Sequence, residues 1–166
     1  MSTMKTVLWI GMAYIASLSG CNQSTAKKQI PENATEIQKL RIRIENAIGQ
    51  TDRDENRVWL KQDREKIEVF FNAKASTSRE VLRANACNEF VQITHCAAEA
   101  KMSAPTVVVC ALWPVKDKYG NWKNSPVLAA TFDKATLKKV NWKGISTNKL
   151  LALRSSGPGL VPYKDE

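Results

Sequence analysis

The spacing of apolar residues predicts two amphipathic helices in the first half of the chain. The first begins at Thr35, where Thr35-Glu36-Ile37-Gln38 has the form of a capping box, and ends near Gly49. Its apolar residues recur every three or four positions, at Ile37, Leu40, Ile44, Ala47 and Ile48. The second starts at Asp52 or Asp54 and carries Val58, Trp59, Leu60, Ile67, Phe70 and Phe71. We expect these helices to form an antiparallel pair packed on their own domain.

The segment from Arg79 to Lys101 has a mixed pattern. Its beginning (81–86) and end (96–100) favour a helix, whereas residues 90–94 are typical of a strand. We predict a helix that starts after the Ser-Thr-Ser stretch at 76–78 and breaks near Ile93.

The clearest strand signal is the apolar run Thr106–Trp113, which lies between Pro105 and Pro114. A polar loop with Gly120-Asn121 separates it from a second strand, Pro126–Phe132, so the two predict a hairpin. Asp133 and either Ser146 or Thr147 can cap short helices, and residues 156–166 are expected to be irregular. The predicted fold class is α+β, with N-terminal amphipathic helices followed by a small antiparallel hairpin or sheet and short C-terminal helices.

The N-terminus has the parts of a secretory signal. Lys5 precedes an apolar run, and the run leads into Leu18-Ser19-Gly20-Cys21. This ending resembles the lipobox of bacterial lipoproteins, which implies that residues 1–20 are removed and that Cys21 carries the lipid. Asn22 follows the cysteine in place of the aspartate typical of inner-membrane retention, so we expect an outer-membrane lipoprotein that faces the periplasm or the surface. The alternative is an ordinary signal peptide cut after Ser17-Leu18-Ser19.

On this interpretation residues 21–34 are the lipidated cysteine and a polar tether, and residues 35–155 form a single periplasmic domain. The chain is basic, with 25 Lys+Arg against 16 Asp+Glu. From Lys116 onward there are ten basic and four acidic residues. Such a half can face anionic lipid headgroups, lipopolysaccharide or peptidoglycan carboxylates, or it can be an ordinary solvated surface. Nucleic acid is not an expected partner in this compartment.

Three cysteines remain besides Cys21, an odd number for an oxidising compartment. If 79–100 is one helix, Cys87 and Cys96 are about 13.5 Å apart along its axis and cannot bridge. Facing then favours Cys87 with Cys110, and Cys96 with Cys110 second. A strand and turn would instead permit Cys87 with Cys96, and three reduced, buried thiols are a further alternative.

No catalytic residue, metal ligand set or cofactor motif is predicted. His95 is the only histidine, and the neighbouring Cys96 points in a different direction on a helix or strand. The candidate contact residues surround the hairpin loop, with Trp122 first and Tyr119, Lys118 and Lys123 beside it. Exposed aromatic and basic residues of this kind can hold a sugar ring, a lipid headgroup or a protein.

The stretch Arg57-Val58-Trp59-Leu60-Lys61-Gln62-Asp63-Arg64 is similar to the Trp-plus-Arg-Asp helix of periplasmic proteins related to the LprI-type lysozyme inhibitors. Here the last two residues are reversed and the cysteine that usually follows is missing. The function expected from the whole sequence is a non-enzymatic accessory or binding role in the cell envelope, for example in a secretion, conjugation or exclusion apparatus. The alternatives are an inhibitor of a hydrolase such as lysozyme and a small envelope hydrolase that uses Cys96.

Overall fold

The protein is described by a computed structural model that covers residues 27–49, 57–74, 76, 78–116 and 119–160. The described elements follow the chain in this order: α1 (Glu36–Ala47), β1 (Val58–Gln62), β2 (Lys66–Asn72), α2 (Arg79–Glu99), β3 (Thr106–Lys116), β4 (Trp122–Asp133), α3 (Lys134–Leu137), α4 (Thr147–Leu151) and β5 (Ser156–Leu160). The strands form one five-stranded sheet in the order β1-β2-β3-β4-β5. Strand β2 runs parallel to β3, and the other neighbours are antiparallel.

The predicted arrangement of N-terminal helices followed by an antiparallel hairpin is therefore wrong. The sheet is mixed, because β2 and β3 are joined by the long helix α2 and run in the same direction. A parallel pair requires a crossover of this length, whereas the sequence pattern showed only the local β3–β4 hairpin. That hairpin is present, and β4 gains a further partner in β5 from the region expected to be irregular.

The second predicted helix is also wrong, because its residues form the β1–β2 hairpin. In β2, Ile67, Val69 and Phe71 are buried in strict alternation with half-buried residues, a period of two rather than 3.6. The turn is set by Asp63, whose carboxylate accepts hydrogen bonds from the backbone N–H groups of Glu65 and Lys66, both at 2.8 Å. These bonds hold the pKa of Asp63 below its usual range. The stretch similar to a helix of the lysozyme inhibitors is accordingly strand β1 and this turn, as far as the described residues 57–64 show.

The caps of the helices follow the sequence closely. Thr35 and Gln38 form the predicted capping box of α1, and Ser78, Asp133 and Ser146 cap α2, α3 and α4. Helix α2 is unbroken through Ile93. Its residue Thr94 is fully buried, and its hydroxyl donates to the Phe90 carbonyl at 2.7 Å, so the strand-like residues are accommodated within the helix.

One face of the sheet packs against the helices. Its residues alternate along the strands, and across the sheet Val69, Val109 and Ala130 lie opposite one another. The buried cluster joins this face to Leu40 and Ile44 of α1 and to residues of α2, α3 and α4, including Phe90, Leu137 and Leu150. The helical layer therefore lies on this face of the sheet, where it buries the apolar side chains of both layers.

The segment before α1 is held against that helix. The Lys28 N–H donates to Asn46 Oδ1 at 2.8 Å, and Asn46 Nδ2 donates back to the Lys28 carbonyl at 2.9 Å. The Lys28 ammonium is also 3.1 Å from Glu45, a buried carboxylate that Arg41 contacts at 2.9 Å. Lys28 is thereby fixed beside the last turn of α1, although the sequence suggested a tether as far as residue 34.

A buried ion pair ties β1 and β2 to the middle of α2. Arg57 donates to both carboxylate oxygens of Glu89, at 2.7 and 2.8 Å, and to the Asn72 carbonyl. The Lys74 N–H supplies a further hydrogen bond to Glu89. The two side chains are only 13% and 9% exposed, so each charge depends mainly on the other for its stabilisation.

Replacing Glu89 with alanine leaves the Arg57 guanidinium buried without its carboxylate. We expect Glu89→Ala to lower the free energy of unfolding by about 3–5 kcal/mol, measured by urea denaturation. The matched control is Glu68→Ala, which removes a pair with Lys66 whose side chains are 43% and 21% exposed, and which we expect to cost about 0–1 kcal/mol. Equal losses for the two variants would contradict the assignment of Arg57–Glu89 as a structural pair.

Strand β5 depends on a glycine that permits close approach to β4. A Cβ at Gly157 would lie 3.0 Å from the Ala129 oxygen and from Ala130 Cα, and its φ of +99° disfavours other residues.

We expect Gly157→Ala to detach β5, seen as faster hydrogen exchange of the β4 amides that face it. Gly120→Ala is the control, since Gly120 also has a positive φ but a Cβ there would meet no atom within 4 Å, and the variant carries only the backbone strain of about 1–3 kcal/mol. If both variants left β4 exchange unchanged, β5 would not depend on this contact.

Candidate functional site

The end of α2 is organised by a buried lysine. Lys134, the first residue of α3, is only 5% exposed, and its ammonium donates to the carbonyl oxygens of Ala100 (2.7 Å) and Met102. Its backbone N–H also bonds to the Pro105 carbonyl at 2.8 Å. Burial lowers the pKa of this ammonium, and the charge of Lys138 lowers it further. Lys134 thus satisfies the carbonyl of Ala100, the C-cap residue of α2, and that of Met102 just beyond the helix.

A basic cleft of about 630 Å³ lies beside this helix end. It is lined by Arg43 from α1, by residues 98–101 at the end of α2, and by Lys138 and Trp142 after α3. Arg43, Lys101 and Lys138 are exposed, and Glu99 is the one carboxylate among the described lining residues. The helix end adds about half a negative charge. Three cations against these groups leave a net positive charge, so the cleft suits an anion.

Trp142 forms an aromatic wall of the cleft. Its ring stacks on His95, with centroids 4.6 Å apart and planes 18° from parallel. His95 Nε2 is 3.1 Å from Glu99 Oε1, one turn along α2. Trp142 also packs partly against the core, so its ring is positioned from both sides and offers a fixed apolar surface next to the cations.

A second groove of about 500 Å³ is lined by the segment after α3 and by residues of α4 and beyond. Lys139, Lys143 and Lys149 line it together with apolar residues such as Val140 and Leu153, and its described lining includes no carboxylate. Lys138 lines the cleft, and its neighbour in sequence, Lys139, lines this groove. We call the six cations of the two recesses the basic face: Arg43, Lys101, Lys138, Lys139, Lys143 and Lys149.

No protein-family model, curated protein or solved structure matches the chain. Within the described residues, no three His, Cys, Asp or Glu side chains come together in a way that could hold a metal ion. The helices of the described part include none that is long and apolar enough to cross a membrane.

The contact residues predicted from the sequence lie away from the basic face in the chain, around the β3–β4 turn. Tyr119 is 77% exposed and Lys123 is exposed. Lys118 lies outside the described residues, and Trp122 is described only as the first residue of β4. Cys21 also lies outside the described residues.

Arg43, Lys101 and Trp142 are site residues that the sequence did not indicate, and they come from three separate segments. For the other residues of the basic face, Lys138, Lys139, Lys143 and Lys149, the only signal was the excess of lysines after residue 116. Nothing in the local pattern indicated that α1 and the end of α2 would complete it.

Cys87, Cys96 and Cys110 are all free thiols in the structure. The favoured Cys87–Cys110 pair required the two to face each other. Cys110 instead lies between Val109 and Ala111, which face the helices, so its side chain is on the opposite side of the sheet from α2. Cys87 and Cys96 both lie on α2, nine residues apart, and cannot meet.

Two of these thiols have strongly raised pKa values. Burial, together with the negative charge of Glu99, raises the pKa of Cys96 to about 11, and burial alone raises that of Cys110 to about 11. The reactive form of cysteine is the thiolate, so both side chains are poor nucleophiles at neutral pH.

We expect Cys96 and Cys110 to react with iodoacetamide at pH 8 about 100-fold more slowly in the folded protein than in urea, since the pKa rises by about two units from 9.0. The native rates should climb about tenfold per pH unit up to pH 11, because the thiolate fraction does. Mass spectrometry of the labelled peptides measures each site separately. Labelling of Cys96 as fast in the native protein as in urea would contradict its burial.

Proposed function

We propose that the protein is a lipid-anchored, non-enzymatic accessory protein of the cell envelope that binds an anionic envelope component through its basic face. The observation that carries this proposal is the cleft in which Arg43 from α1, Lys101 from the end of α2 and Lys138 lie with the ring of Trp142, next to a groove lined by Lys139, Lys143 and Lys149. Clustered cations beside an aromatic surface suit the recognition of phosphate or carboxylate groups.

The surroundings of His95 and Cys96 support a non-catalytic role for these two residues. The His95 ring is stacked on Trp142 and lies in contact with Glu99 rather than with a thiol or hydroxyl. A nucleophile that is activated by an adjacent base normally has a lowered pKa, whereas that of Cys96 is raised. The alternative of a hydrolase that uses Cys96 therefore has no support from this geometry.

Anchoring is supported by the resemblance of Leu18-Ser19-Gly20-Cys21 to a lipobox. Three acyl chains would hold the protein at the membrane essentially permanently, since each buried methylene contributes about 0.8 kcal/mol. Asn22 after the cysteine favours the outer membrane.

The wild-type protein should incorporate a palmitate analogue in cells and fractionate with the outer membrane. Cys21→Ala should lose the label and appear in the soluble fraction or remain unprocessed. Ser24→Ala, a small change in the same segment, is the control and should behave as wild type. Equal labelling of wild type and Cys21→Ala would overturn the anchoring.

The binding role is tested by cross-linking in intact envelopes, followed by purification in detergent. Recovery of an envelope component by the wild type, and its loss when Lys138 and Lys139 are both changed to glutamate, would support the proposal. A soluble hydrolase bound equally by both proteins would instead indicate an inhibitor.

A further inference from the structure

The position of Lys28 on the domain is fixed by its contacts with α1. Lys28 is bonded through its backbone to the side chain of Asn46, in both directions. Asn46 lies three residues after Arg43 on α1, so the two side chains are neighbours, with Cβ atoms about 5–6 Å apart. Arg43 is part of the basic face. The residue that holds Lys28, Asn46, and the nearest residue of the basic face, Arg43, are thus about one helical turn apart.

The chain between Cys21 and Lys28 limits how far this point can be from a membrane. Seven residue steps separate the two Cα atoms, and a fully extended chain covers at most about 3.6 Å per step, or about 25 Å in all. A domain of this size is roughly 35–40 Å across. The reach is shorter than the domain, so an anchored protein cannot turn the surface farthest from Lys28 against the bilayer. The surface around Asn46 and Arg43 lies well within reach.

From these two observations we propose that the basic face rests against the anionic phospholipid headgroups of the bilayer that holds Cys21. The inference builds on the proposed function and names the anionic component. Besides the six cations, the face presents the partly buried ring of Trp142, an amphipathic side chain of the kind that settles at headgroup level.

The acidic residues near the face offset only part of its charge. Among the described residues, Glu99 is the only carboxylate that lines either recess. Glu36 is paired with Lys39 at 2.9 Å, and its pKa is lowered chiefly by that hydrogen bond and to a smaller extent by the charges of Lys101 and Arg43. Each basic residue held near an anionic membrane strengthens binding about fivefold, so several acting together hold the domain down once the lipid has brought it there.

The test uses the mature chain from residue 21 with Cys21→Ser, so that no acyl chain contributes. We expect it to cosediment with vesicles of 30% phosphatidylglycerol in phosphatidylcholine but not with pure phosphatidylcholine vesicles. Binding should fall as salt is raised from 0.05 to 0.5 M, because screening shortens the reach of the charges. The variant Lys138→Glu/Lys139→Glu should bind at least about 25-fold more weakly, from two losses of about fivefold each.

The matched control is Lys61→Glu/Arg83→Glu, which makes the same change in net charge at exposed positions on β1 and near the start of α2. Arg83 is 16 residues, or about 24 Å, from Glu99 along α2, so this variant should bind within about twofold of wild type. Circular dichroism and urea denaturation of both variants check that they are folded, as we expect for changes at exposed positions.

Equal weakening by the two double variants would overturn the proposal, since net charge alone would then explain the binding. So would equal binding to neutral vesicles, or displacement by soluble glycerophosphate at constant ionic strength, which would indicate a site for a free phosphate compound. If Cys21 is not labelled with the palmitate analogue, the anchoring and the proposed function are wrong. The vesicle experiment uses a chain without lipid, so its result on the basic face would still hold. Failure of vesicle binding with normal labelling removes this inference alone.

Discussion

The arrangement of the candidate site depends on the buried ammonium of Lys134. It holds the carbonyls of Ala100 and Met102 just where the chain leaves α2, and its backbone N–H holds Pro105 just before β3. One residue therefore joins the end of α2, the entry to the central strand and the start of α3. A buried charge of this kind costs free energy unless its protons are accepted by oxygens, and the carbonyls of the buried residues Ala100 and Met102 accept them. Because Lys138 lies one turn further along from Lys134, the same contacts place it beside the end of α2.

The sequence predicted the parts of this fold that depend on neighbouring residues. Thr35 with Gln38, and the single residues Asp133 and Ser146, cap helices by contacts within three residues, and these signals are visible in the chain itself. The β3–β4 hairpin is equally local. By contrast, the period of two around Ile67 is hard to recognise, because Trp59 and Phe70 are apolar on the less covered face of the sheet and hide the alternation. With β2 assigned to a helix, its parallel pairing with β3 could not be anticipated.

The candidate site was even less accessible from sequence, for the same physical reason. Arg43 and Lys138 are 95 residues apart in the chain and meet only because α1 and α3 both pack near the end of α2. The stacking of Trp142 on His95 likewise joins a loop to a helix across 47 positions. What the sequence did show was the excess of lysines in the second half. The number of charged residues shows that this half of the chain is basic, but it does not show where the fold brings the charges together.

Strand β5 has a consequence for how another chain can extend the described sheet. Its sequence, Ser156-Gly-Pro-Gly-Leu160, places Pro158 between two glycines of positive φ at the edge of the described sheet. Proline has no N–H to offer a further strand, and the two glycines keep the backbone from the regular geometry that an incoming chain would extend. Strand β5 therefore resists the addition of a further strand at its edge of the described sheet, whereas β1 forms the other edge.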